Sequence, residues 1–208
     1  MKPLTIPLIV LALFPEFAVA ATITFDGPPT QSPGTHYAIR QYTEGGFTFK
    51  PFGPLDSTPP YRLSRNGGGK SFSPENGSAY LQTLSGGSLE FFTTDGSAFR
   101  LISVDLAEYS ISNIFPDIPT VTFVGLKGDG GTVSTTFTLD GVIDGTGPLV
   151  DFQTFNFGPE FTDLVKVSVP TEGYSLDNLV VVPEPSRLAL LLVAAGAMAG
   201  GARRRLRV

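Results

Sequence analysis

The chain has 208 residues, a formal net charge of −5, no cysteine, no tryptophan and one histidine. Without cysteine there is no disulfide staple and no thiol chemistry, so a domain of this kind must rely on packing or on a metal. A single histidine, His36, excludes a His-rich metal site and leaves a Ser-His-Asp triad only one possible base.

The N-terminus reads as a secretory signal over residues 1–20. Lys2 gives a positive start, residues 4–14 are mostly apolar, and Ala18-Val19-Ala20 has the small-x-small pattern of a cleavage site, with the cut expected after Ala20. Pro15 and Glu16 end the apolar stretch and argue against a spanning anchor there. Residues 21–182 are then one domain's worth of chain. They carry 8 basic and 17 acidic residues, a net of −9. Such a surface does not seek nucleic acid or anionic lipid, and it can attract divalent cations.

Within that domain, short alternating runs recur between clusters of Gly, Pro, Asn and Asp, the pattern of an all-β antiparallel sandwich. The first predicted strand is 22–25, closed by Asp26-Gly27-Pro28-Pro29. A loose region over 30–44 precedes a strand at 46–50, where Phe47 and Phe49 share a face. Residues 51–77 read as a long irregular segment. Strands at 78–83 and 88–92, joined by Ser85-Gly86-Gly87, form a candidate hairpin. The longest run, 98–109, shifts its apolar phase between Leu101 and Ile102, which predicts a bulge.

Strands at 120–126 and 132–139 are joined by Lys127-Gly128-Asp129-Gly130-Gly131. Val133, Phe137 and Leu139 alternate there with Ser134, Thr136 and Thr138. The run 151–157 puts Phe155 and Phe157 on one face, and 164–169 does the same for Val165, Val167 and Val169. A last strand over 174–182 leads into the tail. No helical period survives in the domain, and its fifteen Phe (of seventeen in the chain) without Trp suit a core between two facing sheets.

Catalytic constellations are poor. His36 lies in a stretch that reads as an exposed loop, and there is no G-x-S-x-G elbow, P-loop or dinucleotide fingerprint. Asp105 and Glu108, three apart in a strand-like run, point to opposite faces. Two carboxylates for glycoside hydrolysis are available in number, but nothing singles out a pair. Tyr37, Tyr42, Phe52 and Tyr61, with Arg40, Arg62 and Asn66 nearby, are candidates for stacking on a sugar; packing in the core or a loop is the plainer explanation of each. Asn76-Gly77-Ser78 matches a glycosylation acceptor pattern.

Two stretches far apart in sequence, Ile23-Thr24-Phe25-Asp26-Gly27 and 174–181 with Asp177, resemble the framing of jelly-roll, galactose-binding-like modules akin to carbohydrate-binding modules. The resemblance implies a structural Ca²⁺ shared by Asp26 and Asp177. The alternative is that Asp26 opens a turn and Asp177 accepts from backbone amides. Asp129, in the Gly-rich turn, is a lesser ligand candidate with the same alternative.

The tail is the most specific stretch. Pro183, Glu184 and Pro185 read as a stiff, exposed spacer. An uncharged run over 188–202 follows, about 15 residues and so about 22 Å of helix, short of the roughly 30 Å hydrocarbon core. Arg187 and Arg203 can snorkel to make up the difference, which makes the run a single C-terminal transmembrane helix. Arg203, Arg204, Arg205 and Arg207 place its far end in the cytoplasm.

Residues 183–208 closely resemble the PEP-CTERM sorting signal of Gram-negative bacteria. The resemblance implies an inner-membrane-anchored precursor with a periplasmic ectodomain, cut near the triplet by the membrane peptidase exosortase and delivered to the cell surface or beyond. Such proteins are linked to exopolysaccharide and biofilm. The expectation is therefore a non-enzymatic matrix or adhesion module processed by signal peptidase and exosortase. A calcium-stabilised lectin is the first alternative and a glycosidase or lyase the second.

Overall fold

In the computed structural model the described residues are 19–28, 35–51, 61–65, 73–83, 88–109, 120–145 and 147–184. The apolar leader, the run over 188–202 and the arginine cluster lie outside them. No helix long and apolar enough to cross a membrane occurs among the described residues.

Thirteen strands and no helix make up the described chain: β1 (Ala21–Ile23), β2 (Thr35–Ile39), β3 (Tyr42–Glu44), β4 (Phe47–Pro51), β5 (Tyr61–Arg65), β6 (Tyr80–Thr83), β7 (Leu89–Thr93), β8 (Phe99–Glu108), β9 (Thr120–Lys127), β10 (Thr132–Thr138), β11 (Gln153–Asn156), β12 (Leu164–Val169) and β13 (Tyr174–Pro183). Every pairing is antiparallel. The hydrogen-bonded network falls into two layers. The first runs β2-β5-β6-β13-β8-β11, with β1 beside the second half of β13; the second runs β3-β4-β7-β12-β9-β10. The layers join at the pair Leu164↔Phe99.

Aromatic rings fill the space between the layers. Phe47 of β4 meets Phe99 of β8 edge-on at 5.0 Å, Phe25 meets Phe49 at 5.2 Å, Phe123 meets Phe157 at 5.1 Å, and Phe137 stacks on Phe155 at 4.8 Å. Each pair has one member from either layer. Burying one such side chain contributes about 1.5–3 kcal/mol. A smaller cluster of Tyr80, Ala107 and Phe152 lies apart from this core, because those residues alternate with Leu81, Leu106 and Gln153 and so sit on the outer side of the first layer.

The predicted bulge is present. Val181 pairs with Leu101 but Val180 with Ser103, which leaves Ile102 as the extra residue. Its carbonyl accepts the Phe157 N–H at 2.9 Å. A second irregularity at Asn178 (φ 45) restores the register, so Asp177 again faces Asp105. The 127–131 hairpin also forms as expected. Gly130 (φ 88) supplies the left-handed turn, and Asp129 accepts the Gly131 N–H at 2.8 Å, as a turn aspartate does.

Other expectations are corrected. The β6 and β7 strands are not a hairpin: β6 pairs with β5 and β13, and β7 with β4 and β12. Leu81 and Phe91 reach the same core from opposite layers, which burial favours over a local pairing. The loose region contains β2 and β3, and the irregular segment contains β5. His36 therefore lies on a strand, opposite Ser64, and not in a loop. In β12 the buried set is Leu164, Val167 and Val169, while Val165 is only half-buried, because a bulge between Leu164 and Lys166 changes the phase.

Candidate functional site

The two aspartates singled out from sequence meet at one segment. Residues 73–79 carry few apolar side chains to bury, and they are pinned by three carboxylates from distant strands or loops. Asp177 Oδ2 accepts from the Asn76 side-chain amide at 2.5 Å and the Ser78 hydroxyl at 2.8 Å, while its Oδ1 accepts the Asn178 N–H at 2.7 Å. Asp26 Oδ1 accepts the Ala79 N–H at 2.9 Å. Asp151 accepts the Glu75 N–H at 2.8 Å through one oxygen and the Asp144 N–H at 2.8 Å through the other. Tyr80 adds its hydroxyl to the Pro74 carbonyl at 3.0 Å. The segment is a strap laid over the outer side of the first layer.

Beneath the strap, Asp177 is fully buried. Burial pushes its carboxyl up to about 7, with the Asp26 charge adding to the push and the three donors opposing it. Burial likewise raises Glu108 and Asp151 above the usual carboxylate range. Glu108 accepts the Gly141 N–H at 2.6 Å through Oε1, and its Oε2 has no hydrogen-bond partner among the described residues. Asp105 and Glu108 do point to opposite faces: Asp105 accepts from Thr154 at 2.6 Å and from the Asn178 amide at 2.8 Å.

Calcium requires six to eight oxygen ligands. Among the described residues no three His, Cys, Asp or Glu side chains stand together in a way that could hold a metal ion. Both Asp177 oxygens are already occupied by N–H or O–H donors. Asp26 and Asp177 therefore form a hydrogen-bonded clasp around 76–79.

A different site was missed from sequence. On the outer face of the second layer, Lys50, Glu90, Ser168, Val124 and Ser134 stand in one row across β4, β7, β12, β9 and β10. Four inter-strand gaps give that row a length of roughly 19 Å. Glu90, only 8% exposed, accepts Lys50 Nζ at 3.1 Å and Lys166 Nζ at 3.3 Å. The two lysine side chains are 42% and 36% exposed. Lys50 also lies 5.1 Å from the centre of the Phe92 ring. Hydroxyls border the row, with Thr48 paired to Thr94 at 3.3 Å and Thr122 to Thr136 at 2.9 Å. This face combines cations with spare donors, hydroxyls and one half-buried aromatic ring.

No family model and no curated protein sequence matches this chain. Among solved structures it is similar to the CBM22-1–GH10 modules of the Clostridium thermocellum endo-1,4-β-D-xylanase 10B, determined in complex with xylohexaose. The TM-score is 0.33 at 12% identity, over 80% of this chain and 28% of that one. The present chain thus spans little more than a quarter of that structure's length.

The remaining candidates scatter. Tyr42 is a core residue whose hydroxyl donates to Glu44 at 2.7 Å; Glu44 also takes the Thr24 and Phe25 N–H groups at 3.2 and 2.8 Å and so closes the end of β1. Tyr37 is 51% exposed on β2 and Arg40 is exposed just beyond it. Tyr61 and Arg62 lie on β5, while Phe52 and Asn66 fall outside the described residues. Of the tail motif, Pro183 ends β13 and Glu184 is described; Pro185, Arg203, Arg204, Arg205 and Arg207 are not.

Proposed function

We propose that this chain is an exported, surface-destined β-module without catalysis of its own, which associates with extracellular polysaccharide through the outer face of its second layer. The supporting observation is the cluster in which Lys50 and Lys166 both reach Glu90. Each ammonium gives one contact to Glu90 and keeps further N–H donors for a ligand, and Phe92 offers a ring for the apolar side of a sugar. The raised carboxyls, by contrast, are bound to the protein's own donors.

Delivery rests on the tail. In this reading signal peptidase removes residues 1–20. The apolar run and arginines hold the precursor in the inner membrane, and exosortase processes it near Pro183-Glu184-Pro185 for release to the surface. Mass spectrometry of secreted material tests this step: a C-terminus near the triplet is expected, and intact Val208 in membrane-free protein contradicts it.

Affinity electrophoresis of the domain in gels containing the host's exopolysaccharide tests the binding step. Retardation is expected for the native domain and should be lost in Phe92→Ala and in Lys166→Ala. Retardation that persists in both places binding elsewhere. Calcium dependence of the retardation and of the melting temperature, lost in Asp177→Ala, would favour the lectin reading instead.

A further inference from the structure

Strand β13 does not end where the domain was expected to end. Pro183 pairs with Phe99 in register, and the Glu184 N–H donates to the Ala98 carbonyl at 2.8 Å. Glu184 Oε1 accepts the Asp163 N–H at 3.0 Å and also the Thr162 hydroxyl. The expected free spacer is thus folded onto the domain through its first two residues. Proline has no N–H, so Glu184 carries the only main-chain donor of the triplet and its only charge. The domain engages both.

The receiving turn is itself braced. Phe161 accepts the Leu101 N–H at 3.0 Å, and Asp163, held at φ 57, accepts the Gly128 N–H at 2.9 Å. Residues 161–163 therefore tie the start of β8, the β9–β10 hairpin and Glu184 to one point. Releasing Glu184 leaves the core aromatics in place, because Pro183 is exposed and Glu184 only half-buried.

We infer that the folded domain masks the Pro183-Glu184 end of its own Pro-Glu-Pro triplet: Glu184 is latched to Thr162, Asp163 and Ala98, and an endopeptidase can take Pro183-Glu184 as extended substrate only after the end of β13 peels away. For its biological use this rests on the reading of the tail as a processed sorting signal; the latch itself does not.

Thr162→Val tests it, since it removes a latch donor and leaves the triplet unchanged. The full-length chain in detergent is followed by amide hydrogen exchange and by cleavage after Pro183 or Pro185 with a proline-specific endoprotease, read by mass spectrometry. The Glu184 amide should be protected in the native protein. In Thr162→Val its exchange and the cleavage should both accelerate about tenfold, the loss of roughly one charge-assisted hydrogen bond. The amides of Leu106 and Ala107 should stay unchanged, which reports an intact fold. An unprotected Glu184 amide in the native chain overturns the latch without any variant. Faster exchange with unchanged cleavage overturns the masking. If both accelerate but cells carrying the membrane peptidase never trim the tail, the latch stands and the sorting reading falls.

Discussion

The side-chain amide of Asn76 reaches the carboxylate of Asp177 at 2.5 Å across 101 positions of sequence. It fixes the middle of the chain to the last strand, and Ser78 and the Asn178 N–H share the same acceptor. Removing that acceptor leaves three donors without their partner. Asp177→Ala should therefore destabilise the domain by about 2–4 kcal/mol, and Asp26→Ala, which frees one N–H, by about 1 kcal/mol. Urea unfolding followed by tyrosine fluorescence measures both. Equal losses would mean that the strap is not hung on Asp177.

Stability should also depend on pH through the same residue. Its folded pKa of about 7 lies above the ordinary 3.8, so the folded state holds the proton more tightly than the unfolded chain. That contribution is fully present below about 4 and is lost as pH rises through about 7. Glu108 and Asp151, raised by burial, act with the same sign. Asp95, lowered by its hydrogen bonds from Ser97, acts oppositely, but only at pH below its ordinary range. The urea midpoint is expected to fall from pH 5 to pH 8, and Asp177→Asn should flatten the slope. A native profile already flat over that range would contradict the burial of a titrating Asp177.

Glu90 holds two ammonium groups together on the outer face of the second layer. Its removal leaves them facing one another, with like charges repelling. Exposed pairs contribute little singly, so Glu90→Gln should cost about 1 kcal/mol at low ionic strength. Much of that cost should disappear in 0.5 M NaCl, where screening acts over about 4 Å. Denaturation midpoints at the two salt concentrations check this, and a salt-independent loss would point to packing as the cause.

Gly125 sits on β9 directly under Leu164. A Cβ there would come within 2.7 Å of Leu164 Cδ2 and 3.0 Å of Val133 Cγ1. Leu164 is fully buried and has little room to turn aside. Gly125→Val should cost about 1–3 kcal/mol by overpacking. Combined with Leu164→Ala it should cost less than the sum of the two single changes, as a double-mutant cycle will show. Strict additivity would place the strain elsewhere.

Strands were legible from sequence where each had one dry face. Phe47 and Phe49, Val133 and Phe137, and Phe155 and Phe157 alternate because a two-layer sheet buries every second residue. Even the bulge at Ile102 shows in the sequence, since an extra residue must shift the apolar phase. By contrast, β2, β3 and β5 escaped notice. They are short, lie at or next to a sheet edge, and sit among Pro- and Gly-rich residues that obscure the alternation.

The amino-acid order by itself therefore determined the all-β class and most of the strands, because period and residue chemistry are local. The folded chain decided what Asp26 and Asp177 touch, that Lys50 and Lys166 converge on Glu90, and that Glu184 is fastened down. Each depends on the register between strands brought together from more than a hundred residues apart, 160 for Ala21 and Val181, and that register is set by how the whole core packs.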